Sequence, residues 1–160
     1  MNEFATVIGP SLTLLAGALA ALLPGIGSAK AVGKVGEVCA GVLAEDPSKF
    51  GKLLILQALP GTQGIYGLLT WFMIMVSSGL LGGTADLSWQ KGLAYLMASL
   101  PIAFVGYFSA IYQGKVSEAG VMLVAKRPEE QSKAMVLAAM VETYAILSLL
   151  ASVLSVLNIR

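Results

Sequence analysis

Several residue types on which soluble enzymes rely are rare or absent from this sequence. It has no histidine, one cysteine and 12% charged residues, where an ordinary soluble domain has about a quarter charged. Without histidine there can be no Ser-His-Asp triad, Cys-His dyad or Cys/His zinc site, and one cysteine cannot form an internal disulfide. Cys39 is interpreted as a small packing residue. There is also no phosphate-binding loop that ends in Lys-Ser/Thr, so a self-contained soluble enzyme is not expected.

What the chain has in excess is apolar surface. Of its 160 residues, 57% are hydrophobic, and the net charge is only +1. Such a chain cannot cover its own surface with polar groups, which predicts that lipid is its solvent. The near-zero net charge and the lack of a basic tail also exclude the electrostatic surface that nucleic acid requires.

Four segments are long enough to cross a membrane, which takes about 20 mostly apolar residues. Segments 4–29, 53–85 and 92–114 carry no charge, and segment 134–159 carries only Glu142. The predicted fold class is an all-α integral membrane protein with four transmembrane helices, forming a single membrane domain over residues 1–160. The first segment is too long to be only a signal peptide and no basic residue precedes it, so we expect it to be retained.

The first and third helices are predicted to continue beyond the hydrocarbon as amphipathic extensions. No strong helix breaker follows either span until Pro47 and Pro128, and proline suits the first turn of a following helix. Eight of the ten Lys and Arg residues lie near these two turns, whereas Lys91 and Arg160 lie on the opposite side. The positive-inside tendency therefore predicts cytoplasmic turns and both termini outside. Those eight residues are Lys30, Lys34, Lys49, Lys52, Lys115, Lys126, Arg127 and Lys133.

The sequence repeats itself with an offset of 81 residues. Segment 25–37 aligns without a gap on segment 106–118, and the match continues through both turns. The chain is thus predicted to be two tandem hairpins of the same topology, with repeat 1 over about 1–82 and repeat 2 over about 83–160. An inverted repeat would indicate a rocking transporter, whereas a parallel repeat favours hairpins placed side by side around an axis.

Small residues recur every fourth position in the first and third helices. Small-xxx-small spacing lets helix backbones approach closely in lipid, where apolar burial supplies little attraction. These helices are therefore predicted to form a tightly packed inner layer. The stripes are Gly25, Ala29 and Gly33 in the first helix, and Gly106, Ala110 and Gly114 in the third.

Glu142 is the one charged residue in the middle of a predicted span. A charge at the bilayer centre costs about 2.5–3.5 kcal/mol on insertion scales. No Lys or Arg lies at comparable depth in the other spans to pair with it, which predicts a functional carboxylate. Its counterpart in the first repeat is Gly61, so only one copy carries the charge.

The second helix carries a polar face near mid-membrane. Leu59, Thr62, Gln63 and Tyr66 are spaced three and four residues apart, so they lie on one side of the helix. Pro60 also lacks a backbone N–H, which frees a carbonyl one turn earlier. The third helix adds the amide of Gln113. These groups could serve only as hydrogen bonds between helices; with the carboxylate, they also supply the oxygens that a hard monovalent cation requires, by analogy with hard divalent cations.

These motifs resemble the proteolipid (K, or c-ring) subunit of bacterial sodium-pumping V-type ATPases, and the resemblance covers essentially the whole chain. The most specific are Leu-Pro-Gly-Thr-Gln-Gly-Ile-Tyr-Gly at 59–67 and Met-Val-Glu-Thr-Tyr-Ala-Ile at 140–146. The resemblance implies a Na⁺ site, with protons as competitors, and a hydrogen bond from Tyr66 that helps to lock it. The implied Na⁺ ligands are Glu142, Gln113, Gln63, Thr62 and the carbonyl of Leu59.

The resemblance further implies a homo-oligomeric ring embedded in lipid and no covalently bound cofactor. A stator membrane subunit would supply a basic residue, and a central stalk would touch the cytoplasmic turns near residues 46–49 and 127–130. ATP would be hydrolysed in other subunits, so the chain itself would not be an enzyme. Three alternatives remain open: a proton-carrying ring, a small multidrug exporter with a lone membrane glutamate, and a purely structural or pore-forming proteolipid. The outer loop 82–89 receives no functional interpretation.

Overall fold

The structure, a computed structural model, describes residues 3–83 and 85–159, and within them all regular structure is helical. Arg160, which entered the orientation argument, and Thr84 of the outer loop lie outside the described residues, as do Met1 and Asn2. The helices are α1 (Glu3–Glu45), α2 (Phe50–Ala58), α3 (Thr62–Ser77), α4 (Trp89–Lys126) and α5 (Gln131–Leu157), with 3₁₀ turns at Pro47–Lys49, Leu59–Gly61 and Pro128–Glu130.

The four predicted spans are present as four antiparallel passes. Three continuous helical stretches are long and apolar enough to cross a membrane: Val7–Glu45, Trp89–Lys126 and Pro128–Leu157. The remaining pass, which is the second in chain order, consists of α2 and α3. The 3₁₀ turn at Pro60 joins them, and the residues at both joints keep helical backbone angles. The prediction of an all-α membrane fold of four helices is therefore confirmed.

The end of the second pass differs from the sequence-based expectation. The uncharged segment was predicted to span 53–85, but α3 ends at Ser77 and turns follow. Gly79 and Gly83 have positive φ angles of 75° and 67°, a conformation that glycine adopts at little cost and other residues rarely adopt. The prediction was wrong here because an uncharged run shows where charges stop, not where the backbone leaves the helix.

The predicted helical extensions and their turns are confirmed. Helix α1 continues to Glu45 and α4 to Lys126, and Pro47 and Pro128 each begin a 3₁₀ turn at the base of the next helix. Around the two turns the offset is the same 81 residues found in the sequence: α1 and α4 end at Glu45 and Lys126, and α2 and α5 begin at Phe50 and Gln131. The chain is thus two tandem hairpins of the same direction and construction.

Helices α1 and α4 pack closely against each other. A Cβ atom built on Gly27 would lie 2.7 Å from the carbonyl oxygen of Tyr107, and one on Gly114 would lie 2.8 Å from Cβ of Ala31. Close approach of this kind requires small residues on both helices. The predicted stripe on α4 is used in this way.

The predicted stripe on α1 is not used in this interface. Cβ atoms built on Gly25 and Gly33 would meet nothing within 4 Å, and Ala29 is exposed. Helix α1 instead contacts α4 through Pro24, Gly27 and Ala31, one or two positions away on the helix. The spacing of four indicated a packing face but could not indicate which neighbour it meets.

Two apolar clusters hold the bundle together, with a polar layer between them along the helices. One cluster surrounds Ile74 and Ile102; the other surrounds Leu56 and Val121 and includes Cys39, which is 4% exposed and packs as predicted. Between them along α3 and α4 lie the fully buried amides of Gln63 and Gln113.

Lysines of the first hairpin tie the turn at Pro47 to the turn at Pro128. Lys49 Nζ donates to the carbonyl of Ala125 at 2.8 Å, and Lys52 Nζ donates to that of Pro128 at 3.1 Å. The Ala125 carbonyl lies in the last turn of α4, where the last backbone acceptors lack helical partners and cations are favourable, and Pro128 begins the 3₁₀ turn that follows. The start of α2 is thereby fixed against the end of α4 and the turn that follows it.

The α1–α4 interface generates a stability prediction. Gly27→Ala places a methyl group against the Tyr107 backbone, which cannot yield without moving a helix, so we expect a loss of about 1–3 kcal/mol of stability. Thermal unfolding in detergent, followed by circular dichroism, measures it. Gly41→Ala is the matched control on the same helix, since its Cβ meets open space; equal loss in both variants would contradict the close packing.

Candidate intramembrane ion site

Helix α5 carries Glu142 to the seam where α3 and α4 meet it. The carboxylate is half-buried and accepts two hydrogen bonds: Tyr66 Oη donates to Oε1 at 2.6 Å, and Gln113 Nε2 donates to Oε2 at a longer 3.4 Å. Each oxygen thus has its own donor, from a different helix. A charge-assisted hydrogen bond as short as that from Tyr66 fixes the rotamer of the acid strongly.

The two buried amides connect the carboxylate to helix α3. Gln63 Nε2 donates to Gln113 Oε1 at 2.5 Å, and both side chains are fully buried. Because Gln113 accepts from Gln63, its own amide nitrogen is directed at Glu142. A buried network of this kind is rigid when its members are satisfied, since each unpaired polar group in a low dielectric is costly.

The 3₁₀ turn at Pro60 brings the remaining predicted residues into the same network. Leu59 O accepts from the backbone N–H of Thr62 and from its hydroxyl, the latter at 3.0 Å. The Thr62 hydroxyl also lies 3.4 Å from Gln63 Oε1. Proline cannot donate a backbone hydrogen bond, and the tightened turn directs the Leu59 carbonyl toward Thr62 rather than along a regular helix. All six residues singled out from the sequence therefore lie in one connected cluster.

Sequence reasoning missed two serines that support this cluster. Ser109 accepts from Gln63 Nε2 at 3.4 Å and donates to the carbonyl of Val141 at 3.1 Å, next to Glu142. Ser28 accepts from the backbone N–H of Gly64 at 2.9 Å. The two serines are repeat counterparts, and their identity in both halves was the available signal.

No basic group neutralises Glu142 among the described residues. The ion pairs within 3–83 and 85–159 join Lys34 to Glu37, Lys49 to Asp46 and Lys133 to Glu130. That same part of the chain contains no cluster of three or more acidic, Cys or His residues that could hold a metal ion. The site therefore offers one negative charge and several neutral oxygens, a donor set suited to a singly charged cation rather than to a divalent one.

The fold and the site together define a class of protein: the membrane proteolipid of a rotary ATPase, a non-catalytic component built from tandem hairpins with a carboxylate at membrane depth. Comparison of the sequence with protein families assigns it there. The chain belongs to the family of the ATP synthase C subunit, which matches residues 15–74 and again residues 96–155. The two matches are offset by the same 81 residues as the helices.

Two relatives show where in the family the chain lies. It is 51% identical over 150 residues to the V-type sodium ATPase subunit K of Enterococcus hirae, covering 94% of this chain and 93% of the relative. It is 38% identical over 141 residues to the A-type ATP synthase subunit K of Methanocaldococcus jannaschii, covering 88% of this chain and 60% of the relative.

The short hydrogen bond from Tyr66 generates a prediction about the reactivity of Glu142. Tyr66→Phe leaves Oε1 without its donor, so we expect a hydrophobic carbodiimide to modify Glu142 about fivefold faster, the factor that corresponds to about 1 kcal/mol for one net hydrogen bond. Labelling rates at fixed pH in detergent measure this. Tyr144→Phe, on the exposed side of α5, is the matched control and should label at the parental rate; an unchanged rate in Tyr66→Phe would contradict the locking role.

Proposed function

We propose that this proteolipid carries Na⁺ on Glu142 as the ring of its ATPase turns. The carboxylate would bind the ion together with Gln113, Gln63, Thr62 and the Leu59 carbonyl, and Tyr66 would hold the carboxylate in place. The observation that supports this most is the continuous polar network from Leu59 O to Glu142 across three helices.

The charge balance of the site explains how binding is coupled to rotation. A carboxylate with a bound monovalent cation is net neutral and can face lipid at modest cost, whereas the ionised carboxylate alone cannot, because a charge at bilayer depth costs several kcal/mol. Only loaded copies can therefore pass through the lipid. Release requires a compensating positive charge from outside this chain, which we assign to a basic residue of a stator membrane subunit.

Na⁺ is favoured over H⁺ by the neutral oxygens around the acid. A proton needs only the carboxylate, and the buried Gln63, Gln113 and the Thr62 hydroxyl would then serve solely to connect helices. Four oxygen donors besides the acid match the requirement of a cation that loses its water. The relative from Enterococcus hirae, named as part of a sodium ATPase, supports the same choice.

The orientation and partner contacts follow from the charged turns. With the positive-inside tendency, the turns at Pro47 and Pro128 face the cytoplasm and both termini face outside. The first turn is rigid: Asp46 Oδ1 accepts from the Ser48 hydroxyl at 2.6 Å and Oδ2 pairs with Lys49 at 3.2 Å. The Ser48 and Lys49 hydrogen bonds hold the pKa of the Asp46 carboxyl below its usual range. We assign both turns to contact with a central stalk.

A small multidrug exporter would require an aromatic cavity around its glutamate. The aromatic groove on this chain is lined by Phe104, Phe108, Tyr112 and Tyr144, but Glu142 is not part of its lining. The carboxylate instead accepts hydrogen bonds from Tyr66 and Gln113 in the seam between helices. The geometry thus favours ion binding over drug binding.

Protection of Glu142 by cations tests the ion directly. A hydrophobic carbodiimide modifies protonated carboxyls, so bound Na⁺ should slow labelling of purified rings at fixed, mildly acidic pH. We expect strong and saturable protection by Na⁺ and none by K⁺. Labelling that depends on pH alone would instead establish a proton-carrying ring.

The neutral ligands are tested by a substitution that the chain itself suggests. The repeat counterpart of Gln113 is the apolar Val32, so Gln113→Val places a side chain that the fold already accepts at this level. We expect the Na⁺ concentration for half-protection to rise at least about tenfold, equivalent to about 1.4 kcal/mol for a lost ligand to a charged group. Unchanged half-protection would remove Gln113 from the ligand set.

The carboxylate itself is tested by transport. Glu142→Gln should leave the ring assembled and abolish ATP-driven Na⁺ uptake by vesicles that contain the whole reconstituted ATPase, because the amide cannot neutralise a cation. Glu142→Asp should retain weak transport, since the charge is withdrawn by one methylene. Glu45→Gln, an exposed acid at the end of α1, is the matched control with parental uptake. Normal uptake by Glu142→Gln would overturn the proposal.

A further inference from the structure

One buried hydroxyl next to the polar layer has no partner. Ser117 lies on α4 one helical turn beyond Gln113, toward the end of that helix, and its side chain is fully buried. Within residues 3–83 and 85–159, its Oγ is the only buried side-chain N or O atom without a hydrogen-bond partner. An unsatisfied polar atom in an apolar interior is costly, and native structures rarely leave one.

The contacts above and below this hydroxyl show what it faces. On α4, Gln113 meets Gln63 through their amides, and a Cβ atom on Gly120 would lie 3.6 Å from both terminal carbons of Leu56. The second pass and α4 are antiparallel, so a residue midway between 113 and 120 faces a level midway between 56 and 63. That level is the 3₁₀ turn Leu59–Gly61.

A backbone acceptor without its helical donor lies at the same turn. The carbonyl of Leu56 would accept from the N–H of residue 60 in a regular helix, and Pro60 has no N–H. The N–H of Leu59 donates to the carbonyl of Ile55 instead. Because helix carbonyls point toward the C-terminal end of their helix, Leu56 O is directed at the turn, and Leu56 itself is fully buried.

We propose that Ser117 and the Leu56 carbonyl together hold a buried water molecule between α4 and the second pass. Water suits this pair because it can donate to a carbonyl and can donate to a hydroxyl or accept from one. A cation does not suit it, since both groups are neutral and the apolar cluster around Leu56 and Val121 offers no charge. The inference holds for either ion on Glu142, so it is independent of the proposed function.

The internal repeat indicates that there is room for a water molecule beside the hydroxyl. The counterpart of Ser117 in the first hairpin is Gly36, where a Cβ atom would lie 2.5 Å from Nε2 of Gln57. An amide from the next helix thus fills this position in the first hairpin. The counterpart of Gln57 is the fully buried Ala138. Replacing glutamine by alanine removes more atoms than replacing glycine by serine adds, which leaves space in the second hairpin.

The water closes the polar layer on the side of the proline turns. It supplies the donor that Pro60 denies to the Leu56 carbonyl, and it does so at the turn that directs Leu59 O toward Thr62. The departure from regular helix at Pro60 is thereby satisfied from the facing helix α4. Ser117 is the side chain of α4 that reaches this level.

The sign of the stability change in Ser117→Ala distinguishes a bound water from an unpaired hydroxyl. Removing a hydroxyl that holds water leaves the Leu56 carbonyl without its donor, so we expect the unfolding midpoint of rings in detergent to fall by about 2–4 °C. Removing an unsatisfied hydroxyl would instead raise the midpoint. Ser132→Ala, at an exposed serine on α5, is the matched control and should keep the parental midpoint. An unchanged or raised midpoint in Ser117→Ala would contradict the proposal.

Solid-state NMR places the water at the carbonyl. The dipeptide Leu-Gln occurs once in the sequence, at 56–57, so leucine labelled at its carbonyl carbon together with glutamine labelled at nitrogen selects this carbonyl alone. Magnetisation from water protons should reach it in parental rings and should be lost in Ser117→Ala. It should also be lost in Pro60→Ala, where residue 60 regains an N–H for the carbonyl.

A second labelled carbonyl provides the control for this measurement. Tyr-Gln also occurs once, so the Tyr112 carbonyl inside α4 can be selected in the same way and should receive no transfer in any variant. No transfer to the Leu56 carbonyl of parental rings, or equal transfer in Ser117→Ala, would overturn the proposal. The first result means that the hydroxyl bonds to a carbonyl of its own helix, and the second that water binds without it. Na⁺ protection of Glu142, measured on the same rings, is unaffected by either result.

Discussion

The constraint on which the rest of this structure depends is that an ionisable carboxylate in the middle of a bilayer must be satisfied by groups brought to it. The cost of leaving it unpaired is several kcal/mol, comparable with a large part of the stability of a domain. Tyr66 and Gln113 each donate to one oxygen of Glu142, Gln63 orients Gln113, and Ser109 accepts from Gln63. The polar layer between the two apolar clusters is the consequence, and helices α3, α4 and α5 are held in register by it.

Duplication followed by divergence explains why there is one such layer per chain. The Gln113–Glu142 contact has its repeat counterpart in Val32 and Gly61, where a Cβ atom on the glycine would lie 3.6 Å from Cγ2 of the valine. The same fold position is thus polar in one copy and apolar in the other. The site also draws on both hairpins, since the first supplies Thr62, Gln63 and Tyr66 and the second supplies Gln113 and Glu142, so neither hairpin alone could hold it.

Most of the fold and the residues of the polar cluster could be predicted from the sequence, because charges and polar side chains are rare inside membrane spans and stand out where they occur. Uncharged runs indicated the four passes, prolines indicated the turns, and Glu142 with the polar face of the second helix indicated the network. The end of α3 at Ser77 could not be predicted, because it depends on left-handed glycines within an uncharged run. Nor could the face of α1 that meets α4, because small residues occur on two sides of that helix and only geometry distinguishes them.

The identity of the groups around Glu142 bears on how an ion could leave. A lysine or arginine in the same chain would neutralise the carboxylate, and breaking such a buried ion pair by removing one partner costs about 3–5 kcal/mol. Such a pair would also be permanent, and the acid would never exchange a cation. Neutral donors stabilise the acid enough to keep its geometry but leave its charge uncompensated. Under the proposed function, the compensating charge must come first from the ion and then from a neighbouring stator protein, so the absence of a basic partner among the described residues is what allows the site to alternate between them.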